Sequence, residues 1–158
     1  MSGKLVSLIL IISAVFGGIS LYYLQVYYYY SYIDETSEDF RIKVLSKNSG
    51  LYETVKFNHF EGINGDNSPL KFKSCFNLTE VEKIKSISVK VTKPVPLTAP
   101  AWFTCFNAKS LGKSLESGEA FAVISEKNIF SGIDRVLAFY NDGRAFSWHQ
   151  LADEQVRE

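Results

Sequence analysis

Between Lys4 and Asp34 the chain carries no charged side chain, and its core, Leu5–Leu24, reads LVSLILIISAVFGGISLYYL. A helix rises about 1.5 Å per residue, so these twenty residues reach roughly 30 Å, the thickness of a hydrocarbon core. Lipid offers no water to bond backbone groups, so the run is predicted to be helical throughout. Tyr22, Tyr23, Tyr27, Tyr28, Tyr29, Tyr30 and Tyr32 come next, seven tyrosines in eleven positions. A tyrosine joins an apolar ring to a polar hydroxyl and settles at the headgroup level, so residues 1–33 read as a transmembrane anchor ending in an aromatic belt. A cleaved signal peptide has a shorter apolar core, about 7 to 15 residues, ending in small side chains. Here bulky tyrosines crowd the positions after Gly17 and Gly18, which favours an uncleaved anchor.

The flanks set the orientation. Lys4 and the amino terminus lie on one side; Asp34, Glu35, Glu38 and Asp39 lie on the other, opposed only by Arg41. Basic residues stay on the cytoplasmic side, so the N-terminus is expected in the cytoplasm and the 125 residues from 34 to 158 across the membrane. Within the anchor, Ser13 and Gly17 are four apart, as are Ala14 and Gly18. Small residues at that spacing let a second helix approach closely, in a homodimer or against a partner subunit. They are also simply common in membrane helices.

Beyond the anchor the pattern is that of an α+β domain with an antiparallel sheet and one short helix. Residues 34–52 read as a juxtamembrane linker and first strand around Phe40, Ile42 and Val44, residues 53–152 as the domain, and residues 153–158 as a charged tail. Period-two alternation marks Thr54–Phe60, with Val55, Phe57 and His59 on one face. It recurs from Leu70 to Cys75, with Leu70, Phe72 and Ser74 opposite Lys71, Lys73 and Cys75, and again from Ile84 to Val91. Gly62–Pro69 has the composition of a loop. Pro94, Pro96 and Pro100 make 92–100 an extended connector, because proline donates no amide bond. Asn107–Ser117 reads as a helix capped by Asn107 and closed by Gly118, with Leu111 and Leu115 on its buried side. A strand is expected over 119–125, and a hairpin over 134–151 turning at Asn141–Asp142–Gly143.

Chemistry is sparse. Lys and Arg total 17 and so do Asp and Glu; without a basic excess the chain does not read as a nucleic-acid binder. No phosphate loop, nucleophile elbow, zinc-protease helix or dinucleotide fingerprint is present, and Gly62–Asp66 lacks the acidic positions of a calcium loop. Cys75 and Cys105 have similar surroundings, an aromatic residue three positions before and a phenylalanine after. In an oxidising compartment an even cysteine count favours a disulfide, whose closed loop stabilises by roughly 3 to 4 kcal/mol. A redox pair without a Cys-x-x-Cys motif, or copper held by two thiolates, is the lesser alternative. His59 and His149 read as hydrogen-bonded structural histidines. No cofactor and no metal is expected.

Several phrases resemble a family of alphaproteobacterial inner-membrane proteins to which no activity is assigned. They are the Met1–Lys4 opening, Tyr22–Tyr27, Gly65–Leu70 with the stretch to Phe76, Pro96–Phe106, Gly132–Val136 and Asp142–Gln150. The resemblance implies a single-pass anchor with a periplasmic domain and brings no catalytic residues. Three functions stand as expectations. The first is a non-enzymatic accessory or scaffolding protein that associates with a larger inner-membrane assembly through Ser13 and Gly17 and through exposed aromatic residues, Trp102 and Phe103. The second is a periplasmic ligand-binding or sensing module with Asp66, Arg135 and His149 converging. The third is a thiol oxidoreductase using Cys75 and Cys105.

Overall fold

A computed structural model describes residues 2–34 and 41–152. The apolar run forms helix α1, Gly3–Tyr23, with no buried residue. It is long and apolar enough to cross a membrane. It passes through a wider, π-helical turn, Leu24–Tyr28, straight into strand β1, Tyr30–Tyr32. The belt is thus not followed by a free tether: Tyr30–Tyr32 pairs with Ile63–Gly65 as the edge strand of the domain's own sheet.

The remaining elements are β2 (Lys43–Leu45), β3 (Tyr52–Thr54), β4 (Phe57–Gly65), β5 (Lys73–Leu78), α2 (Val81–Ile87), α3 (Ala108–Ser117), β6 (Ala120–Phe130), β7 (Ile133–Tyr140) and β8 (Arg144–Leu151). Six strands form one antiparallel sheet in the order β1-β4-β5-β8-β7-β6, and β2 and β3 form a separate hairpin. The architecture is α+β. Among the described residues two short α-helices follow α1, one more than the sequence pattern announces. Phe40 and the 153–158 tail lie outside the described residues.

Alternation along the strands buries both faces of the sheet. One face carries Phe76, Leu78, Val123, Leu137 and Phe139, covered by Ile42 and Val44 of the hairpin and by Ile84 of α2. The other carries Ile63, Ala122, Val136, Ala138 and Trp148, covered by Phe103, Phe106 and Leu111. The expected hairpin turns at Gly143, whose φ of 95° suits a residue without Cβ. The expected helix is α3: the Asn107 side chain accepts the Ser110 amide at 3.0 Å, and Gly118 ends it.

Three local expectations are corrected and one is sharpened. Residues 84–87 are helical rather than extended: Val81 and Ile84 are spaced for one helix face, and the extended backbone begins at Ser88. Residues 62–65 are strand rather than loop, since β1 requires a partner there. A Cβ on Gly62 would lie 2.5 Å from the Phe60 ring, so glycine here permits close packing. In β5 the expected alternation holds, but Lys73 and Ser74, on opposite faces, are both buried. The chain makes a short 3-10 turn at Pro69–Lys71, and Lys73 emerges opposite Trp148 and Ile63, 1% exposed. His59 leaves its expected apolar face: the ladder slips between Asn58 and Glu61, and His59 is exposed with φ 52°.

Candidate functional site

The junction between α1 and the sheet is held by side chains from distant parts of the chain. The last carbonyls of a helix have no partner within it, and the Trp102 indole donates to the Val26 carbonyl at 2.7 Å. Around the indole stand the rings of Tyr27, Tyr30 and Tyr32, with centroids 6.4, 5.6 and 5.9 Å away. Lys71 closes the other side, its ammonium 4.6 Å from the Tyr30 ring centre and 5.4 Å from that of Tyr29. This corrects the expected docking role of Trp102 and Phe103. Trp102 is half-buried against the chain's own belt, and Phe103, 4% exposed, is part of the core.

The segment that brings Trp102 to the belt is the proline connector, which crosses the sheet as a strap. Gln150, buried at the end of β8, clips it. Its side-chain oxygen accepts from the Val95 amide at 2.9 Å and from the Trp148 indole at 3.1 Å, and its amide donates to the Lys93 carbonyl at 3.0 Å. Further along, Cys105 is joined to Cys75 of β5 by a disulfide, with Cα atoms 6.3 Å apart. Both cysteines are half-buried and line a shallow cleft of about 200 Å³ with His59, Glu61, Asn77 and Arg144.

The expected ligand triad divides. Arg135 and His149 are cross-strand partners and do meet, but in a closed chain of bonds. His149 Nδ1 donates to the Pro69 carbonyl at 2.6 Å, its Nε2 accepts from Arg135 Nε at 3.0 Å, and Arg135 pairs with Glu126 at 2.9 Å. Phe72 stacks on the imidazole at 4.4 Å, and the guanidinium lies over the same Phe72 ring. Both imidazole nitrogens are used, so the ring is neutral with its proton on Nδ1 and has no lone pair for a ligand. Burial, reinforced by Arg135, lowers its pKa from 6.5 to about 4. Asp66 is exposed in the turn after β4 and bonds to neither residue.

Lys73, not singled out from the sequence, is the most deeply buried charge carrier. Burial lowers its pKa to about 8, and its ammonium donates to the Leu70 carbonyl at 2.7 Å. Gln150 was equally unannounced, since a glutamine ending a strand gives no sign that it clips a distant segment. Ser13, Ala14, Gly17 and Gly18 lie along α1, and among the described residues nothing beyond the helix's own neighbouring backbone comes within 4 Å of a Cβ built on either glycine. Among the described residues, no three His, Cys, Asp or Glu side chains gather as a metal site.

An apolar concavity of about 310 Å³ lies between the strap and the end of β8, lined by Leu70, Lys93, Val95, Leu97, Gln150 and Leu151. No curated protein and no solved structure matches the chain. The model of a family of unknown function, DUF6446, matches residues 42–157, the domain from β2 onward. The chain belongs to the DUF6446 family.

Proposed function

We propose that the protein is a non-enzymatic, single-pass accessory protein of a bacterial inner membrane, with its domain on the periplasmic side, associated with a larger membrane assembly. The observation that carries this reading is the absence of slack at the membrane exit. Helix, π-helical turn and edge strand are continuous, and Trp102 bonds the turn to the domain. A tethered enzyme gains from a loose linker that lets its site search. A scaffold gains from a fixed height and orientation. The chemistry agrees: the buried imidazole is consumed by its neighbours, and both cysteines are spent on a cross-link. The open side of α1 at Gly17 and Gly18 is the natural face for a partner helix. Gentle detergent extraction from native membranes should recover a stoichiometric membrane-protein partner, and Gly17→Leu should reduce its recovery. Purification of a lone monomer at native expression contradicts the proposal.

A second reading, a thiol oxidoreductase, draws on the half-buried disulfide at its shallow cleft. It requires reduction of Cys75–Cys105 by a protein dithiol at a potential near those of disulfide exchangers. A bridge that stays closed in glutathione buffers down to about −300 mV removes that reading.

A further inference from the structure

We infer that one end of the sheet is a second membrane contact, a foot that seats the domain on the headgroup layer beside its own helix. The inference rests on the membrane reading of α1 and goes beyond it, because a single anchor leaves the domain's tilt undetermined.

Register defines the foot. Tyr30 of β1, just past the membrane exit, is level with Gly65 of β4. Ile63 of β4 is level with Lys73 of β5, Lys73 with Trp148 of β8, Leu151 of β8 with Ile133 of β7, and Ile133 with Phe130 of β6. The row from Tyr30 to Phe130 is therefore one end of the sheet, and it is the end at which the helix arrives. Six strands at about 4.8 Å spacing make that end roughly 24 Å wide.

This end carries apolar side chains that folding leaves uncovered. Leu151 is 69% exposed and Phe130 50%. Val95, 53% exposed, is held there by the Gln150 clip and shares the 310 Å³ cleft with Leu70, Leu97 and Leu151. The strap then runs from this cleft to Trp102 and the Val26 carbonyl, so the apolar end is continuous with the belt. Lys93 lies exposed at the cleft's edge, while the Lys71 ammonium is covered by the Tyr29 and Tyr30 rings; Asp66 is an acidic group in the adjoining turn. Exposed aliphatic and aromatic residues with a lysine at their edge, one strand-end away from a membrane helix, match the interfacial layer of a bilayer. The opposite end, the Asn141–Gly143 hairpin, carries the exposed pair of Asp142 and Arg144.

The test uses the full chain in vesicles of phosphatidylethanolamine and phosphatidylglycerol containing a lipid with a nitroxide at headgroup depth. Phe130→Cys, Leu151→Cys and, as control, Asn141→Cys each give a single thiol for a nitrobenzoxadiazole label. Intact mass confirms one label and a closed native disulfide. Labels at 130 and 151 should lose roughly half or more of their emission to the nitroxide, while the label at 141 should lose little. Equal quenching at all three positions in carbonate-resistant protein overturns the foot and leaves the anchor standing. Extraction of the protein by alkaline carbonate overturns both.

Discussion

The two faces of the sheet are covered by different means. On one, the β2–β3 hairpin and the end of α2 are joined by backbone bonds, Val89 donating to Leu45 and Lys47 to Ile87, and the segment after α2 bonds β6, with Ile124 donating to Val89 and Val91 to Ala122. On the other, the strap from 92 to 107 contains three prolines and joins no ladder. It is held by three side-chain links instead: Gln150 at Lys93 and Val95, the disulfide at Cys105, and Trp102 at Val26. Where proline removes amide donors, attachment passes to individual side chains. Each link on the strap side is then a point of failure, while the hairpin side shares its load among many bonds.

That contrast can be broken in order of size. Replacing Cys75 and Cys105 by serine opens a loop between residues 30 apart in sequence and should cost roughly 3 to 4 kcal/mol in urea unfolding. Amide protection in β2 and β3 should persist while the strap loosens; equal loss on both faces contradicts the distinction. Acid is next. The pKa of His149 is held at about 4 in the fold against about 6.5 unfolded. Stability from the neutral ring is complete above pH 6.5 and falls as the unfolded chain protonates, by up to about 3 kcal/mol near pH 4. A ring titration by NMR near 6.5 would remove the closed bond chain from the account.

Smaller effects sharpen the comparison. Gln150→Leu keeps the bulk but leaves the Val95 amide and the Trp148 indole unbonded, at a cost of about 2 kcal/mol in urea unfolding. Trp102→Phe keeps an aromatic ring at the belt and drops only the bond to Val26, costing about 1 kcal/mol in the same measurement. If Gln150→Leu were neutral, the strap would be held by its apolar contacts alone.

Elements with local signatures were legible in the sequence. The long apolar helix announces itself by twenty uncharged residues, α3 by Asn107 and Gly118, and the last hairpin by Asn141–Asp142–Gly143. What was hidden depends on distant partners. Gly62–Gly65 looks like a loop until β1 lies beside it. Lys73 looks outward-facing because lysine is usually exposed, whereas β5 lies inside the sheet and is covered on both faces. The convergence expected of Asp66, Arg135 and His149 was half legible. Arg135 and His149 are cross-strand neighbours in a predicted hairpin, but their closure by Glu126 and the Pro69 carbonyl requires the whole sheet. Trp102 was visible as a notable aromatic residue. Its partner, the carbonyl of Val26, lies 76 residues away and carries no sequence signal.

The most direct test of the central claim is hydrogen exchange at the Ile33 amide, which donates to the Gly62 carbonyl at 2.9 Å, in the full chain in lipid nanodiscs. If helix and domain are one rigid piece, that amide exchanges within about tenfold of the rates in β4. Exchange at the speed of an unstructured peptide would mean a loose tether, and the fixed coupling of domain to membrane would be wrong.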